Sequence, residues 1–137
     1  MKFDKTVNYI KDMMEKNRME MVNLPMRVNP QNFPECVEVV LKFLNSIIRS
    51  HIVVEICNLA EGLDIPGRDK AQVNYYKEVV KEHIVGLVNS LTRLMQSITS
   101  YYPESSFENM VMKELEKLIE QFSSKYTLSE RKQGEAS

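Results

Sequence analysis

The sequence has no tryptophan, only two histidines and two cysteines, and just four glycines and five prolines in 137 residues. Each scarcity removes a class of function. Di-iron helical bundles need two Glu-x-x-His pairs, because carboxylate and imidazole must reach the metal from one helix face. No such pair occurs, and neither does H-E-x-x-H, C-x-x-C or a glycine-rich phosphate loop. No serine stands in a nucleophile elbow and neither cysteine has a histidine near it in sequence. Arg49 and His51 are too close to match the all-helical nucleases whose histidine follows an arginine by four to six residues. No metal, no cofactor and no catalytic residue is therefore expected.

Other absences bound the setting. Cys36 and Cys57 fall on one candidate helix, about 30 Å apart at 1.5 Å per residue, beyond disulfide reach. No run of eighteen apolar residues exists, so no membrane span is expected. The opening MKFDKTVNYIKDMM has no apolar core of a secretory signal. A reducing, cytoplasmic setting is the expectation. The net charge of −1 offers no basic excess for nucleic acid, and stretches such as KEVVKEH alternate in sign like a solvated face.

What the sequence does contain is helical periodicity. From Lys70 to Tyr102 the apolar residues Val73, Tyr76, Val80, Ile84, Leu87, Leu91, Leu94, Ile98 and Tyr101 recur at intervals of three and four. That period belongs to a helix with one face on a core and excludes a strand. A first helix spans about 3–21 on Phe3, Val7, Ile10, Met14 and Met21, interrupted by Asn17. A proline-rich stretch, 22–33, reads as an extended connection. The second helix, 34–61, opens on Pro34 and stops before Gly62, with Val37, Val40, Leu41, Leu44, Ile47, Ile48 and Ile52 as its main stripe. Its second half, HIVVEICNLA, is apolar nearly all round and also suits a buried strand, but no partner strand is evident. Asp69 with Gln72, and Ser105 with Glu108, have capping-box spacing and mark the starts of the third helix (70–102) and the fourth (106–123). The fourth carries Phe107, Val111, Leu115, Leu118 and Phe122. The expected architecture is an all-α antiparallel four-helix bundle with a long central hairpin, one domain over 1–124, followed by a polar, disordered tail over 125–137.

Three features suggest interaction. Met13, Met14, Met19 and Met21 give the first helix a soft surface able to repack against partners. On the second helix His51, Glu55 and Asn58 share a side, as a histidine with a carboxylate partner would. On the third, His83, Gly86, Ser90, Arg93 and Ser97 form a stripe beside the apolar one. Small residues on such a line permit close approach of another backbone. Equally, a cation and an imidazole on a shallow groove suit an acidic or phosphorylated partner.

His83 at mid-helix resembles the phosphorylatable histidine of histidine phosphotransfer domains, which are four-helix bundles. That family places Lys and Gly three and four residues later, where this chain has Gly86 and Leu87. Focal-adhesion-targeting and vinculin-type bundles are similar in length and helix pattern only. The function expected is a non-enzymatic protein–protein interaction or assembly module. Its partner would be a protein or a second copy, as a homo-oligomer and in the simplest case a dimer. A small regulatory or phosphotransfer protein acting through His83 is the alternative.

Overall fold

A computed structural model of the chain describes residues 2–24, 27–64 and 66–136, without side chains at 2–4, 6, 7, 21 and 127–136. Four helices account for nearly all of it: α1 (Lys2–Val22), α2 (Phe33–Glu61), α3 (Gly67–Tyr101) and α4 (Phe107–Ala136). No strand occurs among the described residues. The ambiguous HIVVEICNLA segment is helix throughout. The chain divides into two compact units, Met1–Asn23 with Asn45–Ile84, and Leu24–Leu44 with Val85–Ser137.

In the first unit, α1 packs with the second half of α2 and the first half of α3. Ile10, Ile47, Val53, Val54, Cys57, Val73, Val80 and Ile84 are among its buried apolar side chains, most of them at under 2% exposure. Lys77 reaches across the α2–α3 loop to Glu61 at 2.8 Å. The Lys11 ammonium lies 5.7 Å from the Tyr76 ring centroid, a cation–π distance. Asn17, which interrupts the apolar line of α1, is buried and donates from Nδ2 to Ser50 Oγ at 3.3 Å. Ser50 in turn donates to the Ser46 carbonyl at 2.8 Å. Arg49 pairs with Glu20.

In the second unit, the first half of α2, the second half of α3 and α4 enclose Val40, Phe43, Leu91, Met95, Ile98, Met112, Ile119 and Tyr126. The turn before α2 is held down at several points. The Tyr102 hydroxyl donates to the Pro30 carbonyl, the Cys36 thiol donates to the Asn29 carbonyl at 3.4 Å, and Phe33 meets Tyr102 edge to face at 5.7 Å. Asn109 of α4 donates to the carbonyls of Thr99 and Tyr102, satisfying orphan acceptors at the end of α3.

Several boundaries and faces differ from the sequence expectation, each for a local reason. Asn32, not Pro34, opens α2: its Oδ1 accepts the Glu35 amide at 3.2 Å in the N-cap geometry. α3 begins at Gly67 instead of Lys70, because the Pro66 carbonyl already accepts the amides of Asp69 and Lys70. Asp69 thus lies in the first turn, and its pairing with Gln72 as a capping box does not form. α4 is capped by Ser106 and not Ser105, since Ser106 Oγ accepts the Asn109 amide at 3.1 Å. α4 then runs past residue 123, where Tyr126 extends the buried seven-residue spacing of Met112 and Ile119. On α2 the buried line is Cys36, Val40, Phe43, Ile47, Ser50, Val54 and Cys57, with Val39, Ser46, Val53 and Ala60 beside it. Leu41, Ile48 and Ile52, expected in the core, are exposed. On α4 likewise Phe107 and Leu118 are exposed while Met112 and Ile119 are buried. Phe3, Val7 and Met21 lie outside the described side chains.

The Ser106 cap has a direct test. Ser106→Ala should lower stability by about 1 kcal/mol. Ser105→Ala, which removes no cap, should stay within about 0.5 kcal/mol of the parent in urea unfolding followed by circular dichroism.

Candidate functional site

The stripe on α3 separates into two places. Ser90, Arg93 and Ser97, spaced three and four apart and so on one helix face, line a cleft of about 390 Å³ in the second unit. Arg27 and Val28, from the segment after α1, line it as well, together with Phe43 and Leu94. Arg27 carries no spacing signal in the sequence, because it sits in irregular chain between α1 and α2. The structure places it in one cleft with Arg93, on a segment tied down at Asn29 by Cys36 and at Pro30 and Phe33 by Tyr102.

His83 and Gly86 do not line this cleft. His83 is exposed and borders a space of about 10 Å³ with Met14, Asn17, Ser50 and Val80, all in the first unit. One buried polar atom in that group, Asn17 Oδ1, has no hydrogen-bond partner among the described residues. Gly86 is exposed, and a Cβ added there would meet nothing within 4 Å. No close backbone approach within the described chain offsets its cost of about 1 kcal/mol relative to alanine. On α2, His51 Nε2 lies 3.9 Å from Glu55 Oε1, the expected carboxylate partner. Of the methionines on α1, Met13 and Met14 are half-buried and Met19 is exposed at 54%.

The cleft differs electrostatically from the surroundings of Arg18 and Arg49. Arg18 is paired with Glu15 at 2.7 Å, and Arg49 is paired with Glu20. Arg27 and Arg93 have no carboxylate partner among the described residues, and no carboxylate lines the cleft. The hydroxyls also differ. Thr92, Thr99 and Ser100 all donate to carbonyls of the preceding turn of α3. Among the described residues Ser90 and Ser97 make no such bond, which leaves their hydroxyls available to a ligand. Two guanidinium forks and two hydroxyls, with no counter-charge of their own, can hold an anion.

Nucleophile and metal chemistry have weaker foundations. No group of three or more His, Cys, Asp or Glu among the described residues could hold a metal ion. Both thiols are free and buried. Burial raises Cys36, with Glu35 adding to the shift. Burial also pushes Cys57 up to about 11 from 9.0, reinforced by Glu61 and opposed by Lys77. A thiol so placed is protonated at neutral pH and a poor nucleophile. Among the described residues no helix is long and apolar enough to cross a membrane. The chain matches no protein-family model, no characterised protein and no solved structure.

The thiols yield a prediction in pH. Folded Cys57 holds its proton more tightly than the unfolded chain does, so its contribution to stability is complete below 9.0 and declines as pH rises toward about 11. Urea midpoints should fall across that window, and Cys57→Ala should flatten the fall. At neutral pH a disulfide exchange reagent should label neither thiol until denaturant is added.

Proposed function

We propose that the protein is a non-enzymatic interaction module that self-associates or takes up a partner helix. One observation carries this reading. In the first unit α2 leaves Ile48, Ile52 and Leu59 exposed at 45%, 49% and 74%. Their spacing of four and seven puts all three on one side of the helix, in the pattern of a coiled-coil seam. The unit's own core is filled from the other side of α2 by Val53, Val54 and Cys57. Burying one such aliphatic side chain is worth about 1.5–3 kcal/mol. A second helix laid on this face would recover most of that for Leu59 and about half of it for each isoleucine, which are already partly covered. Glu55 shares the face, between Ile52 and Leu59, and is paired with His51. A charged residue in an otherwise apolar seam restricts register and partner choice, which favours specific assembly over general stickiness.

A second reading rests on the exposure of His83. An accessible imidazole at mid-helix is what transfer of a phosphoryl group to nitrogen requires, although this helix lacks the lysine that histidine phosphotransfer domains place three residues later.

Sedimentation velocity tests the first reading. The parent chain should associate with rising concentration or with an added amphipathic helical peptide, and Ile48→Glu with Ile52→Glu should remove that association without loss of helical circular dichroism. A parent chain that stays monomeric at every concentration and takes up no such peptide rejects it. For the second reading, phosphoramidate should label the parent in an acid-labile form and spare His83→Gln, while an unlabelled parent rules it out.

A further inference from the structure

We infer that the cleft lined by Arg27 and Arg93 is a binding site for a phosphate monoester, with the phosphoryl group between the two guanidinium groups and its organic part on the apolar wall. The inference stands apart from the assembly reading, which concerns another face in the other unit.

Charge comes first. Two arginines line one cleft that no carboxylate lines among the described residues, whereas Arg18 and Arg49 each meet a glutamate. Like charges that converge without a counter-ion repel one another, and a bound anion turns that repulsion into attraction. Arg is also the side chain whose planar fork matches phosphate oxygens in pairs.

The second argument is the hydroxyls. Ser90 and Ser97 flank Arg93 by one turn on either side, so both project from the Arg93 face. Hydroxyls on neighbouring turns of α3 are committed to the backbone: Thr92 to Val88 at 2.8 Å, Thr99 to Met95 at 3.0 Å and Ser100 to Gln96 at 2.7 Å. The two serines that face the cleft are not. They supply neutral donors for phosphate oxygens that the arginines do not reach.

Size and lining select an ester over the bare ion. A cleft of about 390 Å³ falls within the range for small organic ligands, roughly 300–1,000 Å³, and is several times larger than one phosphate needs. Val28 lines it together with the polar groups and with the small accessible parts of Phe43 and Leu94, an apolar side that a free phosphate would leave facing water. The segment that carries Arg27 is tied down two and three residues further on, by the Cys36 thiol on the Asn29 carbonyl and the Tyr102 hydroxyl on the Pro30 carbonyl.

Titration calorimetry on the full chain, with phenyl phosphate as the probe, tests the inference. The expected result is saturable binding that weakens about ten- to hundredfold in Arg93→Gln and in Arg27→Gln, the loss of one charge-assisted contact each. Arg93→Lys should fall between, because it keeps the charge and loses the fork. Ser90→Ala with Ser97→Ala should weaken binding less than either arginine change. Both arginines are exposed, and circular dichroism of each variant confirms that the fold is retained. Ile48→Glu with Ile52→Glu should bind phenyl phosphate as the parent does, so failure of the assembly reading leaves this result intact. Four outcomes overturn the inference: no binding of phenyl phosphate, binding unchanged in both arginine variants, inorganic phosphate binding as tightly as the ester, or a phosphoserine peptide binding where phenyl phosphate does not.

Discussion

An unbroken line of apolar side chains along α3, from Val73 to Ile98, is the constraint on which both compact units depend. Val73, Val80 and Ile84 supply the α3 share of the first core, and Leu87, Val88, Leu91, Leu94, Met95 and Ile98 supply that of the second. A helix of 35 residues is held mostly by the burial of such a face and only weakly by intrinsic propensity. A gap in the line would remove a layer from whichever unit contained it. The polar side of the same helix is thereby free to carry other chemistry, and it does so at Ser90, Arg93 and Ser97.

Polar groups inside the units do a different job. Asn17, Ser50 and Ser46 form a short ladder between α1 and α2. Asn109 closes the end of α3 by donating to two of its last carbonyls. Each such group pairs well in only one register, so it selects among arrangements that apolar contact alone would tolerate. The anchoring of residues 29–33 on Tyr102 has the same character, and it sets where Arg27 stands.

The legible and illegible parts of the fold divide by the kind of signal. α3 could be read because Val, Ile and Leu, with Met95 the one exception, mark its buried positions between Val80 and Ile98. The α2 pattern of large apolar residues is offset from its buried line by about one helical position, because that line passes through Cys36 and Ser50, with Ser46 beside it, small side chains that carry no apolar signal. Ile48 and Ile52 fit the apolar pattern yet stand exposed. The caps of α3 and α4 shifted for a related reason. Several polar residues stand side by side at each start, and only the path of the preceding loop decides which of them meets the free amides. Tyr126 stands in a polar stretch of sequence, and its burial is what carries the α4 line beyond residue 123.

The sequence by itself determined the helical class, the number of helices and the lack of recognised metal or nucleophile motifs, because period and residue type are local properties of the chain. It also placed Ser90, Arg93 and Ser97 on one face of one helix. Only the tertiary structure decided that Arg27 joins them while His83 and Gly86 do not, and that an apolar edge of α2 stays uncovered. Those outcomes depend on how a turn is tied down and how a helix is rotated about its axis. Both are settled by packing against residues distant in the chain, which no local pattern records.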